Sequence, residues 1–193
     1  MKVVIVNGAL EGRTGQELSK YFGQRFNTIG IDTATFSVAA SNVPPFNMQG
    51  DPAPDTVQNM IHLFQQADLH VWLAPLYHGS IPGMMKNCLD WLELSRQSAT
   101  PYLTDKLIGM VCWADGLHAL NGIHTMDTVA KSLRAWTLPF TIPIIKNQLY
   151  DPTHPGHISL VYKNKFDQMI LLMQQAMQKF NKDIVTNSVT VVG

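Results

Sequence analysis

Three short stretches hold the residues whose types and spacing suit chemistry, and each follows an apolar run. They are Asn7–Gln16, Pro75–Ser80 and Trp113–Gly122. Each combines glycines, which let the backbone turn sharply and present N–H groups, with aromatic, hydroxyl, amide or charged side chains. In an open parallel sheet such loops lie at the carboxyl ends of the strands, where ligands bind. The sequence therefore predicts a small-molecule site at this edge of a sheet.

The first stretch suits an anion. A helix beginning near Thr14 adds its positive end, and Arg13, Thr14 and Gln16 can donate to phosphate oxygens. Neither a Gly-Lys-Ser/Thr ending nor a Gly-x-Gly-x-x-Gly pattern is present, which favours one phosphate over a triphosphate or pyrophosphate. The alternative is an ordinary strand-to-helix turn in which Thr14 and Glu17 form a capping box. Glu11 counts against phosphate unless its carboxylate points away.

The second stretch suits a flat aromatic ligand. Tyr77 offers a face for stacking, and the backbone N–H groups of Gly79 and Ser80 can donate to ring heteroatoms. His78 either contacts the ligand or is a solvent-exposed loop histidine. Ser80 lacks the Gly-x-Ser-x-Gly context of a nucleophile, so a helix cap ahead of Pro82 explains its hydroxyl better.

The third stretch is equally open to two interpretations. Its backbone can meet the far edge of the same ring, with Asp115 accepting from a ring N–H. The competing interpretation is a plain helix N-terminus that Asp115 or Asn121 caps.

Histidines elsewhere give no strong metal pattern. His118 with His124, and His154 with His157, match no established spacing and have no accompanying cysteine or carboxylate pattern. We therefore predict no metal site, and no side chain is assigned a catalytic role.

Composition narrows the function classes. The 193 residues are 46% hydrophobic and 15% charged, with 14 Lys plus Arg against 14 Asp plus Glu. This balance leaves no basic excess for nucleic acid, and no apolar run approaches a membrane span. The N-terminal apolar run is interpreted as a strand and not as a signal peptide, which predicts a cytoplasmic protein. Cys88 and Cys112 are expected to be buried free thiols, and the ten methionines to fill the core or a subunit interface.

Strand and helix patterns alternate along the chain. The predicted strands are Lys2–Val6, Ile29–Phe36, Leu69–Ala74, Lys106–Trp113 and Phe140–Ile145. The predicted helices are Thr14–Phe26, Asp55 (as cap) to Gln66, the segment from Pro82, Ile123–Trp136 and Leu160–Phe180.

This alternation predicts an α/β fold with a five-stranded parallel sheet covered on both faces, in the order 2-1-3-4-5. Pro143 places the fifth strand at the sheet edge. Residues 1–180 form a single domain in this interpretation, and residues 181–193 form a C-terminal tail.

One motif carries a resemblance to a known family. The seventeen residues Pro75–Trp91, PLYHGSIPGMMKNCLDW, closely resemble the flavin loop and following helix of the NADPH-dependent FMN reductase family. The first loop is similar but altered: Ala9 and Glu11 stand where the family has serine and arginine, and Arg13 supplies a cation from a neighbouring position. The order of elements up to about residue 180 also fits.

The resemblance implies a flavodoxin-like three-layer sandwich that binds FMN and uses NADPH or NADH as co-substrate. Reduced flavin would pass electrons to a small-molecule acceptor such as a quinone, an azo compound or free flavin, and members commonly form dimers or tetramers. It assigns cofactor-binding roles to Ala9, Arg13, Thr14, Gly15, Gln16, Pro75, Leu76, Tyr77, His78, Gly79, Ala114, Asp115 and Gly116.

A non-catalytic alternative stays open on the sequence. The chain can be a flavodoxin-like electron carrier, or a scaffold whose altered phosphate loop no longer binds flavin. Hydride transfer needs stacking within contact distance and no side-chain base, so the lack of a paired acid and base does not weigh against an enzyme.

Overall fold

The sheet is built on strands whose residues are buried on both faces. In a computed structural model, which describes residues 1–48 and 53–186, all seven residues of the third strand are buried. The strands are β1 (Lys2–Asn7), β2 (Asp32–Ser37), β3 (Leu69–Pro75), β4 (Leu107–Ala114), β5 (Trp136–Thr137) and β6 (Ile142–Ile145). The helices are α1 (Arg13–Thr28), α2 (Asp55–Gln66), α3 (Gly83–Asp90), α4 (Ala119–Ser132) and α5 (Leu160–Thr186). Two 3-10 helices, Trp91–Ser95 and Lys146–Gln148, complete these elements.

All strand pairs are parallel, and the order β2-β1-β3-β4-β5 confirms the predicted 2-1-3-4-5 arrangement. Val3 pairs with both Thr33 and Leu69, so β1 lies between β2 and β3. Parallel strands need crossover helices, which cover both faces of the sheet and account for the continuous apolar character of the central strands.

Two apolar clusters, one on each face, make this a three-layer sandwich. One face packs Trp72 and Met110 with α2, α3 and α4, including Phe64, Leu89 and Met126. The other packs Ile5, Val71 and Leu73 with α1 and α5, whose core residues include Phe22, Phe166 and the predicted core residues Met169, Met173 and Met177. The fold is the predicted flavodoxin-like one.

The fifth strand position is shared by two short strands. β6 lies within the predicted strand, and β5 precedes it, both pairing with β4. Leu138 still donates to the Ile108 carbonyl at 2.9 Å, but Pro139 follows and has no N–H to continue the ladder. The edge strand is therefore interrupted between residues 137 and 142.

The fourth helix differs from the prediction at both ends. It begins at Ala119, four residues before Ile123, so Gly122 lies inside the helix and not in a loop. It ends at Ser132 because Arg134 adopts a left-handed conformation with φ 64°, and Ala135 donates back to the Ala130 carbonyl. Trp136 consequently belongs to β5.

The last helix is longer than predicted. α5 continues past Phe180 to Thr186, so the predicted boundary between domain and tail falls inside a helix. The tail residues 187–193, and residues 49–52 of the long connection before α2, lie outside the described residues.

The predicted helix caps are wrong. Gly12, Pro54, Pro82 and His118 precede α1, α2, α3 and α4, and none makes a side-chain capping hydrogen bond. The Glu17 carboxylate binds Arg13 and Tyr150 and so is not the partner of a capping box with Thr14.

Both cysteines are buried free thiols, as predicted. Burial raises the pKa of Cys88 to about 11 and that of Cys112 to about 12, so both stay protonated at neutral pH. Within the described ranges, no helix has the length and apolar character to span a bilayer.

A histidine of β3 also lies wholly inside the core. His70 on β3 is 0% exposed, its Nε2 lies 2.9 Å from the Phe64 carbonyl oxygen, and its ring packs edge-on against Phe64. Burial lowers the pKa of His70 to about 3, and the charge of Lys106 contributes to the same direction. The folded chain therefore holds this imidazole neutral.

We predict that acid destabilises the fold through His70. Its pKa is lower in the folded state than the usual 6.5, so the unfolded state binds more protons and stability falls as pH drops below about 6.5. The loss between pH 7 and pH 4 should be about 3 kcal/mol from this residue. Urea unfolding at several pH values measures it.

The matched control is His70→Gln, whose amide N–H can still donate to the Phe64 carbonyl but does not titrate. Its stability should depend less on pH between 4 and 7. An acid dependence equal to that of the unmodified chain would contradict the assignment to His70.

Candidate functional site

A single cleft of about 920 Å³ lies at the carboxyl ends of β1, β3 and β4. It brings together parts of all three loops singled out by the sequence, together with the segment that follows β6. Its lining consists of Glu11, Gly12, Arg13, Thr14, Pro75, Leu76, Tyr77, Trp113, Ala114, Asp115, Lys146, Tyr150, Pro155 and Gly156.

The start of the first loop is fixed by Asn7, which is only 6% exposed. Its Oδ1 accepts the Ala9 N–H at 3.1 Å, and the Gly8 N–H donates to the Leu73 carbonyl at 2.8 Å. Gly15 packs so closely on Asn7 that a Cβ there would lie 2.4 Å from Oδ1. Ala9 and Gly15 are thus buried and shape the loop from behind.

A polar network lies at the α1 end of the cleft. The Nε of Arg13 donates to one oxygen of Glu17, and the hydroxyl of Tyr150 donates to the other. Burial raises the pKa of the Tyr150 phenol and its bond to Glu17 raises it further, so the phenol keeps its proton. Thr14 also hydrogen-bonds Tyr150 through its side chain. This end holds one arginine, two hydroxyls and the N-terminus of α1.

The segment after β6 closes over this network. Gly156 has φ 84°, and a Cβ at this position would lie 3.0 Å from an Nη atom of Arg13. The segment is held to itself by Asp151, whose carboxylate accepts from the Thr153 N–H and hydroxyl. Its turn therefore sits directly against the guanidinium.

The loop after β3 is a two-residue hairpin turn. Tyr77 and Ser80 exchange both backbone hydrogen bonds, at 2.8 and 3.0 Å, and the central residues His78 and Gly79 both have positive φ, 48° and 86°. This is the type I′ pattern. The Ser80 N–H is used inside the turn, so the expectation that it donates to a ligand is wrong.

The loop after β4 closes the cleft from the other side. Trp113 accepts the Leu76 N–H through its carbonyl at 2.9 Å, which ties the β3 and β4 loops together. Asp115 is 95% exposed in its side chain and lies 4.0 Å from the Nζ of Lys146. Behind this loop, a Cβ on Gly122 would lie 2.4 Å from the Cys112 sulfur and 3.3 Å from Leu76 Cδ1. Close approach of α4 to β4 thus requires glycine there.

Seven of the thirteen residues expected to bind a cofactor line the cleft. They are Arg13, Thr14, Pro75, Leu76, Tyr77, Ala114 and Asp115. The other six do not line it: Ala9 and Gly15 are buried behind the first loop, and Gln16, His78, Gly79 and Gly116 lie around the rim or on the outer surface.

Four further lining residues come from the segment after β6: Lys146, Tyr150, Pro155 and Gly156. Sequence reasoning missed them. The available indication was their position, since this segment leaves the same carboxyl edge of the sheet as the other three loops.

The most specific sequence motif contains a structural clamp. Asn87 accepts the Phe46 N–H at 2.7 Å and donates to the Pro44 carbonyl at 2.8 Å, and Trp91 donates to the same carbonyl at 2.8 Å. The Phe46 and Trp91 rings pack edge to face with centroids 5.3 Å apart. These residues fasten the long connection after β2 to α3.

Among residues 1–48 and 53–186, no group of three or more His, Cys, Asp or Glu side chains is arranged to hold a metal ion. His154 instead pairs with Asp151 at 3.3 Å and packs edge-on against His157.

Comparison with known proteins shows the family. The sequence model of the NADPH-dependent FMN reductases matches residues 1–148, which is more than half of the chain. The chain belongs to the NADPH-dependent FMN reductase family. It is 26% identical over 145 residues to an FMN-dependent NADPH-azoreductase of Staphylococcus haemolyticus, covering 72% of this chain and 74% of that protein.

A second relative and one solved structure are also similar to this chain. The NADPH-dependent FMN reductase ArsH of Rhizobium meliloti is 28% identical over 106 residues, covering 51% of this chain and 44% of that protein. The flavoenzyme NAD(P)H:(acceptor) oxidoreductase FerB of Paracoccus denitrificans has the same fold, with a TM-score of 0.71 and 15% identity over 90% of this chain and 95% of that chain. Tyr150, Pro155 and Gly156 lie beyond the family match.

We predict that Gly122→Ala destabilises the fold by about 1–3 kcal/mol, because the added methyl group overlaps the Cys112 sulfur. Combining it with Cys112→Ala should cost less than the sum of the single changes, since the second substitution removes the overlapping atom. Chemical denaturation of the four proteins measures the coupling.

Gly23→Ala is the matched control. It is also a helical glycine, but a Cβ there meets only ordinary contacts at 3.7 Å, so alanine should be neutral or stabilising by up to about 1 kcal/mol. Equal effects of the two substitutions would show that helix propensity, and not the contact with Cys112, decides the outcome.

Proposed function

We propose that this chain is an FMN-dependent NAD(P)H oxidoreductase that takes hydride from a reduced nicotinamide and passes electrons to a small-molecule acceptor. The observation that carries the proposal is one continuous cleft with a cation and a helix N-terminus at one end and Leu76, Tyr77 and Trp113 along its walls. FMN has the same two-part chemistry, a phosphate and a flat aromatic ring.

The donors present fit the phosphate of FMN. Arg13 is 68% exposed in its side chain and uses its Nε for Glu17, while Thr14 and Tyr150 bring hydroxyls to the same end. The N-terminus of α1, which starts at Arg13, adds backbone N–H groups and a positive dipole end. Arg13 and Thr14 would hold the phosphate in this proposal.

The other walls fit the ring. Pro75, Leu76 and Tyr77 form one side, and Ala114 and Asp115 form the other. The cleft volume of about 920 Å³ lies within the roughly 300–1,000 Å³ typical of small-molecule sites. Tyr77 is 42% exposed, which leaves its ring accessible for stacking.

The six expected contacts that do not line the cleft divide into two groups in this proposal. Ala9 and Gly15 set the shape of the first loop through Asn7. Gln16, His78, Gly79 and Gly116 stay predicted contacts, with His78 and Gly79 at the tip of the β3 turn, where a ligand extending beyond the cleft would meet them.

FMN, when bound, supplies the hydride chemistry, and the protein supplies placement and electrostatics. The residues of the cleft bind the phosphate, align the ring and leave one ring face open to the nicotinamide. No side-chain base is needed for that transfer, because positioning of the two rings within contact distance carries it.

The acceptor class is part of the proposal, and the names of two relatives support it. An azoreductase and an FMN reductase are similar to this chain, which supports an azo compound or free flavin as acceptor, and a quinone is the third candidate. We also propose a cytoplasmic homodimer or homotetramer. Exposed apolar side chains beside the cleft support an assembly, Leu117 being 78% and Leu120 46% exposed. Light scattering of the purified chain measures its size.

The first test is spectroscopic. We expect protein reconstituted with FMN to be yellow, to retain FMN through gel filtration and to be bleached by NADPH or NADH under anaerobic conditions. Yellow protein that nicotinamides do not bleach would instead indicate an electron carrier.

A scaffold without flavin is the second candidate, and one observation favours it. Arg13 is already paired with Glu17, and the carboxylate of Glu11 also lines the phosphate end. Protein that stays colourless at saturating FMN would support the scaffold and exclude the reductase.

We predict that Tyr77→Ala weakens FMN binding roughly tenfold by removing a stacking face, whereas Tyr77→Phe has little effect. His78→Asn is the control on the neighbouring residue, because asparagine tolerates the left-handed conformation that His78 adopts. Quenching of FMN fluorescence measures each affinity. A larger loss of FMN affinity in His78→Asn than in Tyr77→Ala would mean that the flavin ring stacks on His78 and not on Tyr77.

A further inference from the structure

The side chain of Arg13 is held by groups from two distant parts of the chain. Its Nε donates to Glu17 one helical turn away, and the second oxygen of Glu17 accepts the hydroxyl of Tyr150. Gly156 lies close to an Nη atom, and a Cβ at this position would be 3.0 Å from it, so a larger residue would displace the guanidinium. Tyr150 and Gly156 belong to the segment beyond the family match.

This arrangement selects the direction in which Arg13 can donate. An arginine binds a phosphate through a planar fork, so its affinity depends on which N–H groups are free and where they point. Glu17 engages Nε and so leaves the Nη groups as the donors for a ligand. Gly156 borders the guanidinium on the side of the segment after β6.

Glu17 also places a negative charge near the proposed anion site. The hydroxyl of Tyr150 partly compensates this charge by donating a hydrogen bond to the carboxylate. A phenol that donates to a carboxylate shares its charge through a charge-assisted hydrogen bond. Glu17 is 24% exposed and already accepts from two donors, whereas Arg13 is 68% exposed beside the cleft. Glu17 does not line the cleft, whereas Arg13 does, so the cation is the group of this pair that a ligand in the cleft can reach.

We propose that Glu17, Tyr150 and Gly156 are positioning residues that fix Arg13 at the phosphate end of the cleft and make flavin selection depend on the terminal phosphate. The proposal rests on the proposed function, because it concerns how the same cleft recognises FMN. It assigns a role in ligand choice to residues 150–156, which the sequence motifs did not include.

The test compares FMN with riboflavin, which has the same ring and no phosphate. Both are titrated by fluorescence quenching into the unmodified chain and into Arg13→Ala, Glu17→Gln and Tyr150→Phe. We expect Arg13→Ala to weaken FMN roughly 10–100-fold and Tyr150→Phe roughly 3–10-fold, with riboflavin affinity unchanged.

Two substitutions control for structural effects. Tyr21→Phe removes a phenol of α1, the helix of Arg13 and Glu17, and this phenol donates to Asp167 at 2.9 Å. Arg25→Ala removes an arginine of the same helix that pairs with the Asp167 carboxylate. Neither residue lines the cleft. Both should leave the ratio of FMN to riboflavin affinity unchanged.

Gly156→Ala tests the third contact. Its matched control is Gly30→Ala, because Gly30 has a similar φ of 77° but open space around its Cβ position. Both substitutions strain the backbone, and only the first displaces Arg13. We expect a lower affinity for FMN relative to riboflavin in Gly156→Ala alone.

The outcomes separate this inference from the proposed function. Equal loss of both flavins in Tyr150→Phe and Glu17→Gln would reduce these residues to a structural role and overturn the inference. Equal affinity of the unmodified chain for FMN and riboflavin would also overturn it while leaving a flavin site in place. Binding of neither flavin by the unmodified chain would overturn the proposed function and this inference together.

Discussion

The cleft exists because two neighbouring strands send the chain to opposite faces of the sheet. β1 and β3 are hydrogen-bonded along their length, yet α1 packs on the face of Phe22 and Phe166 and α3 packs on the face of Met85 and Leu89. No helix can cover the carboxyl edge between them, and a crevice is left there. The Gly8 N–H, bonded to the Leu73 carbonyl, extends the hydrogen bonding between β1 and β3 by one residue at this edge. The lining of the cleft comes from the ends of β3 and β4, the start of α1 and the loops beside them.

The sheet topology that leaves the cleft open also keeps the apolar core apart from the polar side chains of the site. The central strands are buried on both faces, and their one buried histidine is held neutral, so the sheet interior offers no charge to a ligand. The charged side chains near the site lie outside the sheet interior: Arg13 and Lys146 line the cleft, and Glu17 binds Arg13. Changes at these positions can therefore alter ligand choice with little effect on the fold. The start of α1 is an example, because Glu17 there accepts a hydrogen bond from Tyr150 of another segment.

Elements that follow from the pattern of apolar residues along the chain could be predicted from the sequence. Strands buried on both faces give continuous apolar runs, so β1, β3, β4 and the sheet order followed directly, and with them the three loops of the cleft. Residues whose role depends on a partner far along the chain were not accessible. The sequence places Gly122 in a loop, whereas the structure places it inside α4, where the Cys112 sulfur of another element leaves no space for a side chain. Glu17 fitted a capping box, and only the fold shows Tyr150 taking its second oxygen.

The family motif in Pro75–Trp91 reports on how the chain around α3 is held together, and not on the affinity for a cofactor. Two residues of the motif, Asn87 and Trp91, use their polar groups to hydrogen-bond the backbone of Pro44 and Phe46. Such a clamp is needed by any chain that must hold the connection after β2 against α3, with or without a ligand. A sequence can therefore keep this motif intact while the loop after β1 changes. In the function proposed above, cofactor binding depends instead on the groups at the α1 end of the cleft, above all on Arg13.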